Sequence, residues 1–442
     1  MLETYRTIGG TASEIAAGVE AAVSEGRLAP GALLPPVREM AALARVSPNT
    51  AAAAYRLLRE RGIVETAGRR GTRVRPRPAS TAREDIRIEA PPGVRDLSKG
   101  NPDPVLLPPL HEALAAAAHA HQERPAMYGM GDDEELLALA GARLRGDGVP
   151  AAPLAISSGT LDAVERVLNA YLRPGDAVAV EDPGWAALLD LVAALGLRPV
   201  PMRLDDDGPL PDELGKALRA GARAVVITAR AQNPTGAAVT AERAAALRAE
   251  LAPHPEVLLV EDDHGDGFVD VPLHPLAGAT SRWILVRSTA KAFGPDLRLA
   301  LITGDPVTLD RLRGRQRLAA GWVSHLLQRA VAHLWRTGAV DTAAVAASYA
   351  ERRDGLVAAL AARGVPAHGR TGLNVWVPVP DEAAAISHLL ARGWAAAPGA
   401  RNRLATPPAL RLTVSPLRPE DIPSLADELA ATVHPPARGR YG

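Results

Sequence analysis

The chain has no cysteine among its 442 residues. Disulfides, thiolate metal sites and cysteine nucleophiles are therefore excluded. Lysine is almost as scarce: of 50 basic residues only Lys99, Lys216 and Lys291 are lysines. Phenylalanine occurs twice, and alanine and arginine stand widely where other chains use Lys, Phe and Ile, a bias of composition rather than of function. No apolar run approaches the roughly 20 residues of a membrane span. The first residues lack the apolar core of a secretory signal. Together these absences predict a cytoplasmic protein. Formal net charge is zero, so bulk charge points to no partner. The length suggests two or three domains with ample chain for a large core.

The scarcity of lysine singles out Lys291. Wherever charge alone suffices, this chain uses arginine. A lysine retained against that bias suits chemistry arginine cannot do, because its amine can lose a proton when desolvated and attack a carbonyl. Lys291 sits in Ser288-Thr289-Ala290-Lys291-Ala292-Phe293-Gly294-Pro295-Asp296-Leu297-Arg298, after the apolar run Trp283–Val286 that reads as a buried strand. An amine for a Schiff base, with a hydroxyl (Ser288) and a guanidinium (Arg298) for a phosphate, is equipment for pyridoxal phosphate. The competing reading is a surface lysine in a loop.

Charge is unevenly spread. Residues 1–78 hold 12 Arg and 7 Glu with no Lys or Asp, and eight of those Arg fall between Arg56 and Arg77. A basic N-terminal module on a slightly acidic body predicts a polyanion partner for the module alone. Apolar spacing predicts a helix over Ser13–Glu25 and a second over Val37–Arg45. Val46-Ser47-Pro48 is a tight turn, Asn49 or Ser47 can cap a third helix, and Pro48 suits its first turn. That helix runs to Gly62. Ile63–Thr66 and Thr72–Val74 read as two short strands around a Gly-Arg-Arg-Gly turn. The sum is a winged helix-turn-helix. Residues 79–95 read as a linker spanning at most about 55 Å.

From Ile156 short apolar strands alternate with helices. Strands are expected at Ala177–Val180, Ala224–Thr228, Val257–Val260 and Trp283–Val286, with helices such as Leu161–Leu172 and Ala241–Leu251 between them. This predicts an α/β unit with a mostly parallel sheet flanked by helices, its site at the carboxyl ends of the strands. The candidate motifs fall there. Ser158-Gly159-Thr160 opens a helix that can hold a phosphate. Trp185 can stack on a flat ring or serve as a core aromatic. Asn233, in Asn-Pro-Thr-Gly, can donate to a ring oxygen. A carboxylate in Glu261-Asp262-Asp263-His264 would keep a pyridine nitrogen protonated. Asp262 is the first choice, Asp263 the second, and His264 shares the face of Asp262. A metal site on Asp262, Asp263 and His264 is the rival reading.

Two resemblances join these parts. Leu34-Pro35-x-x-Arg38, Val46-Ser47-x-x-Thr50, Ala54-Tyr55-x-x-Leu58 and Gly71-Thr72-x-Val74, in that order, resemble the winged helix of the GntR family. The resemblance implies a double-stranded DNA operator as partner, contacted by Arg38, Asn49, Thr50 and the wing around Arg69, Arg70 and Gly71. Pro48 replaces an arginine common in that turn. From about Leu97 onward the order Tyr-Gly, Ser-Gly-Thr, Trp, Asn-Pro-Thr-Gly, Asp, Ser-x-x-Lys, Arg resembles fold-type I aminotransferases. That implies pyridoxal 5′-phosphate attached to Lys291. Ser288, Arg298 and Ser158-Gly159-Thr160 would hold its phosphate, and Asn233 and Asp262 its ring. Tyr128 would reach the phosphate in a partner subunit, hence a homodimer. Arg411 would pair a substrate or effector carboxylate. Trp185 and His264 stand where Tyr or Phe, and Tyr, are usual. The whole chain resembles the MocR class: winged helix over 1–78, linker over 79–95, and an aminotransferase-like body over 96–442 that ends in a smaller C-terminal α+β subdomain. Asp262-Asp263-His264, Ser288–Ala300 and Trp322–Gln328 are similar to the members tied to vitamin B6 salvage. The function implied is a transcriptional regulator responding to the cofactor and to an amine or amino acid. The alternative is a working aminotransferase with an accessory DNA-binding head.

Overall fold

The computed structural model describes residues 10–24, 27–60, 63–66, 71–74, 90–150 and 152–434. Arg69, Arg70, Gly62 and residues 79–89 of the expected linker lie outside these ranges.

The N-terminal unit has three helices, α1 (Ala12–Ser24), α2 (Val37–Ala44) and α3 (Pro48–Glu60), and a wing of antiparallel β1 (Val64–Thr66) and β2 (Thr72–Val74). Its core is Ile15, Val19, Met40, Tyr55, Leu58, Val64 and Val74, all nearly or fully buried. The Tyr55 hydroxyl donates to the Pro35 carbonyl at 2.6 Å. Of the two capping candidates, the Ser47 hydroxyl accepts the Thr50 N–H at 3.1 Å. The tight turn before it is made by Arg45 in the left-handed region, φ 54°. Leu33 bridges to Arg73 beside the wing.

The large unit opens with β3 (Arg95–Asp96), α4 (His111–Glu123) and α5 (Glu134–Gly146). The alternating part follows: β4 (Leu154–Ser157), α6 (Thr160–Tyr171), β5 (Ala177–Asp182), α7 (Ala186–Ala194), β6 (Arg198–Asp205), β7 (Gly208–Pro209), α8 (Pro211–Arg219), β8 (Ala222–Thr228), α9 (Ala241–Leu251), β9 (Leu258–Asp263) and β10 (Arg282–Ser288). A short α10 (Ala290–Phe293), β11 (Ala300–Gly304), α11 (Pro306–Arg317) and α12 (His325–Thr337) complete it. The sheet order is β4-β11-β10-β9-β8-β5-β6-β7. β8, β9 and β10 run parallel in register, Val226 opposite Val260 and Ile284 opposite Val260, while β11 is antiparallel to both β10 and β4. Helix faces cover the sheet, so β9 is buried along its whole length. Each sequence-predicted strand is present; β5, β9 and β10 run two or three residues further toward the site than expected, and β8 ends at Thr228 as expected.

The C-terminal part packs α13 (Thr342–Ala361), α14 (Glu382–Ala391) and α15 (Ile422–Val433) on β12 (Asn374–Pro378), β14 (Ala397–Pro398) and β15 (Ala409–Thr413), in the order β12-β15-β14. β13 (Trp394–Ala395) pairs with β3. Among the described residues no helix is long and apolar enough to cross a membrane.

Leu58 is fully buried between the helices and the wing. Leu58→Ala is expected to cost the N-terminal unit about 2–5 kcal/mol. Chemical denaturation followed by circular dichroism measures it, and a loss near zero would mean that the three helices do not pack as described.

Candidate functional site

A cavity of about 390 Å³ opens at the carboxyl ends of the strands, near the lower end of the ~300–1,000 Å³ range of small-molecule sites. Ten of the sequence-predicted residues line it: Lys291, Asp262, His264, Asn233, Trp185, Gly159, Thr160, Ser288, Arg298 and Arg411. Ser98 to Asn101, Leu161 and Arg401 line it as well.

One end suits an anion. Gly159 turns the chain from β4 into α6 with φ +98°, and a Cβ there would meet Arg298 Nη2 at 2.9 Å. The backbone angle favours glycine, and a side chain there would push the Arg298 guanidinium aside. Arg298 donates to the Ser158 carbonyl at 3.0 Å, so its guanidinium lies across the turn. Ser158 contributes backbone and does not line the cavity. The Ser288 hydroxyl accepts the Ala290 N–H at 3.3 Å, which leaves its own proton to donate. Lys291 follows on α10, with Nζ hydrogen-bonded to the Gly100 carbonyl.

The other end suits a flat cation. Asp262 Oδ2 meets His264 Nδ1 at 3.0 Å, while Oδ1 is buried and accepts no hydrogen bond among the described residues. His264 Nε2 faces the Ala231 carbonyl at 2.8 Å. Both ring nitrogens thus face acceptors, and the doubly protonated ring satisfies both at once. Burial disfavours that charge, but the Asp262 carboxylate and its hydrogen bond outweigh burial and hold the His264 pKa above its ordinary value. The Ala231 carbonyl is aimed by an unusual backbone. Ala231 has φ 57°, and its N–H is held at 3.0 Å by Thr371 Oγ1.

Asp263, the second choice, belongs elsewhere. It is fully buried and accepts from Arg230 at 2.9 Å through both oxygens and from Arg287 at 2.9 Å. Burial would raise its pKa, yet the two arginines outweigh burial and hold it below the ordinary range. The pleat separates the two neighbours, so Asp262 is the carboxylate at the cavity. Among the described residues no group of three or more His, Asp or Glu side chains is arranged to hold a metal ion.

Several supporting residues were not singled out from the sequence. Glu181, at the end of β5, accepts from the Thr228 N–H and hydroxyl, both at 2.8 Å, and from Gln232 Nε2 at 3.0 Å. Gln232 Oε1 in turn accepts from Thr235, N–H at 3.0 Å and hydroxyl at 2.7 Å. This network fixes the turn that carries Asn233, whose amide oxygen accepts from Arg411 at 3.4 Å. Glu181 stands beside the Trp185 motif, but a carboxylate at a strand end ordinarily reads as solvated. Arg401 carried no signal separating it from the other arginines.

Tyr128 does not line the cavity: it is 92 % exposed and sits edge-on to Trp322, centroids 5.5 Å apart. In the N-terminal unit Arg38 and Asn49 are exposed in the first turns of α2 and α3, and Thr50 is half-buried against Ser47. Gly71 takes φ +84° at the wing. The exposed Arg73 of the wing is paired with Glu65 at 2.6 Å.

Burial lifts the Glu181 carboxyl from 4.5 to about 7 and Glu261, which accepts the Leu276 N–H, from 4.5 to about 8. A carboxyl that binds its proton more tightly when folded stabilises the fold below its unfolded pKa. It loses that contribution as pH rises through the folded value. Resistance to denaturant should therefore fall from pH 5 to pH 8, and Glu261→Gln should flatten the upper part of that fall. A flat wild-type profile over this range would contradict the assignment.

Residues 92–429 match the family described as "Aminotransferase class I and II", and residues 11–74 match "Bacterial regulatory proteins, gntR family". The vitamin B6 salvage pathway transcriptional repressor PtsJ of Salmonella typhimurium is 37 % identical over 427 residues, 95 % of this chain and 98 % of that protein. The pyridoxine biosynthesis regulator PdxR of Corynebacterium glutamicum is 28 % identical over 72 % of this chain and 71 % of its own length. Among solved structures, the kynurenine aminotransferase of Pyrococcus horikoshii superposes with a TM-score of 0.68 at 22 % identity, covering 77 % of this chain and 91 % of that one. That likeness shows the fold. With both parts matched in order, and a relative spanning almost the whole length, the chain belongs to the MocR-type transcriptional regulators, in which a gntR-family head precedes a class I and II aminotransferase body.

Proposed function

We propose that this regulator holds pyridoxal 5′-phosphate on Lys291, responds to it by altered binding of an operator, and controls a gene of vitamin B6 salvage. The observation that carries the reading is the buried Oδ1 of Asp262, an acceptor without a hydrogen bond from the described residues at the wall of a cavity that also holds an amine. A protonated pyridine nitrogen supplies the missing donor. The Gly159 turn fits the phosphate for an independent reason, since any Cβ there would displace Arg298.

Bound there, pyridoxal phosphate supplies an aldehyde that reports on amines. The rest is done by the chain. Lys291 offers its amine to the aldehyde carbon. Arg298, Ser288 and the N–H groups at the start of α6 bind the phosphate. Asn233 would donate to the ring hydroxyl oxygen, and Trp185 would stack on the ring. Asp262 would hold the ring proton, and His264 bridges Asp262 to the Ala231 carbonyl. Arg411 receives a carboxylate as a paired guanidinium.

The N-terminal unit would read the operator through Arg38, Asn49, Thr50 and the wing with Arg69, Arg70 and Gly71. Tyr128, Trp322 and Leu318 expose apolar surface on the body, which supports pairing of two copies with Tyr128 reaching the partner's phosphate. A ligand shifts an equilibrium only by its differential affinity for the two states. At 100 times Kd that linkage is at most about 2.7 kcal/mol, roughly a hundredfold in operator affinity.

Mixing the full chain with pyridoxal phosphate should give a visible absorbance band and, after borohydride, a covalent adduct on Lys291. Lys291→Ala should lose both. Operator affinity should change with the cofactor in the wild type and not in Lys291→Ala; identical affinity throughout would sink ligand control. Many turnovers of 2-oxo acid release would instead favour a working aminotransferase. Arg38→Ala should weaken binding to all DNA sequences alike and lower the salt slope by about one. A loss confined to one sequence would mean that Arg38 reads bases.

A further inference from the structure

The motif Trp322-Val323-Ser324-His325-Leu326-Leu327-Gln328 serves a loop, and none of its residues lines the cavity. Its last four residues open α12, and His325 and Gln328 are 4 % and 0 % exposed. His325 Nε2 donates to the Gly131 carbonyl at 2.8 Å, since a carbonyl can only accept. Gln328 Oε1 accepts the Asp133 N–H at 2.7 Å, and its Nε2 donates to the Val323 carbonyl at 2.8 Å. The neighbouring Arg329 donates to the Arg124 carbonyl at 2.9 Å. One short stretch therefore grips the backbone of residues 124–133 at Arg124, Gly131 and Asp133. Asp133 in turn caps α5, accepting the Leu136 N–H at 3.0 Å.

The tip of the gripped loop is exposed. Tyr128 stands in the open between the grips, in a turn closed by the Met130 N–H on the Met127 carbonyl at 3.2 Å. Gly129, next to it, takes φ +83°. The Tyr128 ring meets Trp322 of the same motif edge-on, so the grip reaches the side chain as well as the backbone. Holding the loop in this way is unfavourable at one atom. His325 Nδ1 is buried and has no hydrogen bond among the described residues, and a buried acceptor without a donor destabilises. A loop needed only as a connection tolerates movement. Two buried side chains and an arginine committed to this one instead present its tyrosine in a single place.

We infer that this motif is a positioning device for Tyr128, with His325 at its centre, and that it holds the phenol where it donates to the phosphate bound by a second copy of the chain. A group held in advance binds more tightly, because it need not be ordered when the ligand arrives. The inference rests on the readings of Tyr128 and Lys291 given above. It adds residues that act through Tyr128 and line no part of the cavity.

The test uses the full chain and two readouts. Hydrogen exchange read by mass follows the peptide spanning residues 124–133. Titration of the visible band gives the affinity for pyridoxal phosphate, with the Lys291 adduct checked separately by mass after borohydride. Tyr128→Phe should weaken that affinity about tenfold, the scale of one hydrogen bond to a charged group. His325→Ala should speed exchange across residues 124–133 and weaken binding by a similar factor. The double variant should bind no more weakly than either single one, because both act through one hydrogen bond. His325→Gln, which keeps a donor, should return both readouts to within about twofold of wild type. Unchanged exchange in His325→Ala overturns the inference. So do losses that multiply in the double variant, or an affinity that Tyr128→Phe lowers and His325→Ala leaves alone. Faster exchange without a Lys291 adduct supports the grip and sinks attachment. An adduct whose affinity Tyr128→Phe does not change sinks the role of Tyr128 and the inference with it. Thermal melting shows whether His325→Ala folds; where it does not, Trp322→Ala, on a half-exposed side chain, carries the same comparison.

Discussion

The body is arranged around one carboxylate whose two oxygens have different neighbours. Asp262 gives Oδ2 to His264 and keeps Oδ1 buried without a hydrogen bond among the described residues, while the residue lines the cavity. The imidazole is in turn held by the carbonyl of Ala231, a residue kept in the left-handed region by a contact with Thr371. Backbone in that region costs roughly 1–3 kcal/mol for a residue other than glycine and persists only where its surroundings over-determine it. Here the surroundings are the segment leading into β12. Thr371 accepts the Ala231 N–H and donates to the Gly236 carbonyl, and a Cβ at Gly372 would meet Ala231 at 2.7 Å. The charge state of the site is thereby tied to the C-terminal part of the fold.

Behind the cavity the same strand does structural work. Alternation along β9 sends Asp262 to the site and gives Glu261 and Asp263 to the interior. Asp263 joins Arg230 and Arg287, and Arg287 also meets Asp147 at 2.6 Å. A buried ion cluster is weak evidence for stability, but leaving one member without its partner is strongly destabilising. Its effect here is geometric. It fixes the end of β9 relative to β10, and so fixes Asp262 relative to Ser288 and Lys291. The Glu181–Gln232–Thr235 chain does the same for Asn233 in the turn after β8.

Membership in the MocR-type regulators explains why a site of this completeness accompanies a winged helix. His264 is one of two points, with Trp185, where the body departs from the pattern of the aminotransferases it resembles, in which a tyrosine is usual at this position. A phenol gives and takes a proton at one atom. The imidazole here is held at both nitrogens by acceptors, which suits holding charge in place more than moving protons during turnover.

Much of this was legible in the chain itself. Two periodicities and their punctuation determined the three helices and wing of the head and the alternating strands of the body, because burial of an apolar face leaves a repeat of 3.6 or 2 in the sequence. The scarcity of lysine marked Lys291, and motif order brought ten site residues to one cavity. Tertiary structure decided what spacing cannot encode. It chose Asp262 over Asp263, which is a question of which side of a pleat faces a void. It aimed the Ala231 carbonyl at His264 and buried Glu181, since both depend on segments more than 40 residues away. It also drew Arg401 out of a crowd of arginines, because the tight approach of Gly399 to Ala409 and the hydrogen bonds between Asn402 and Gly184 bring that residue to the cavity.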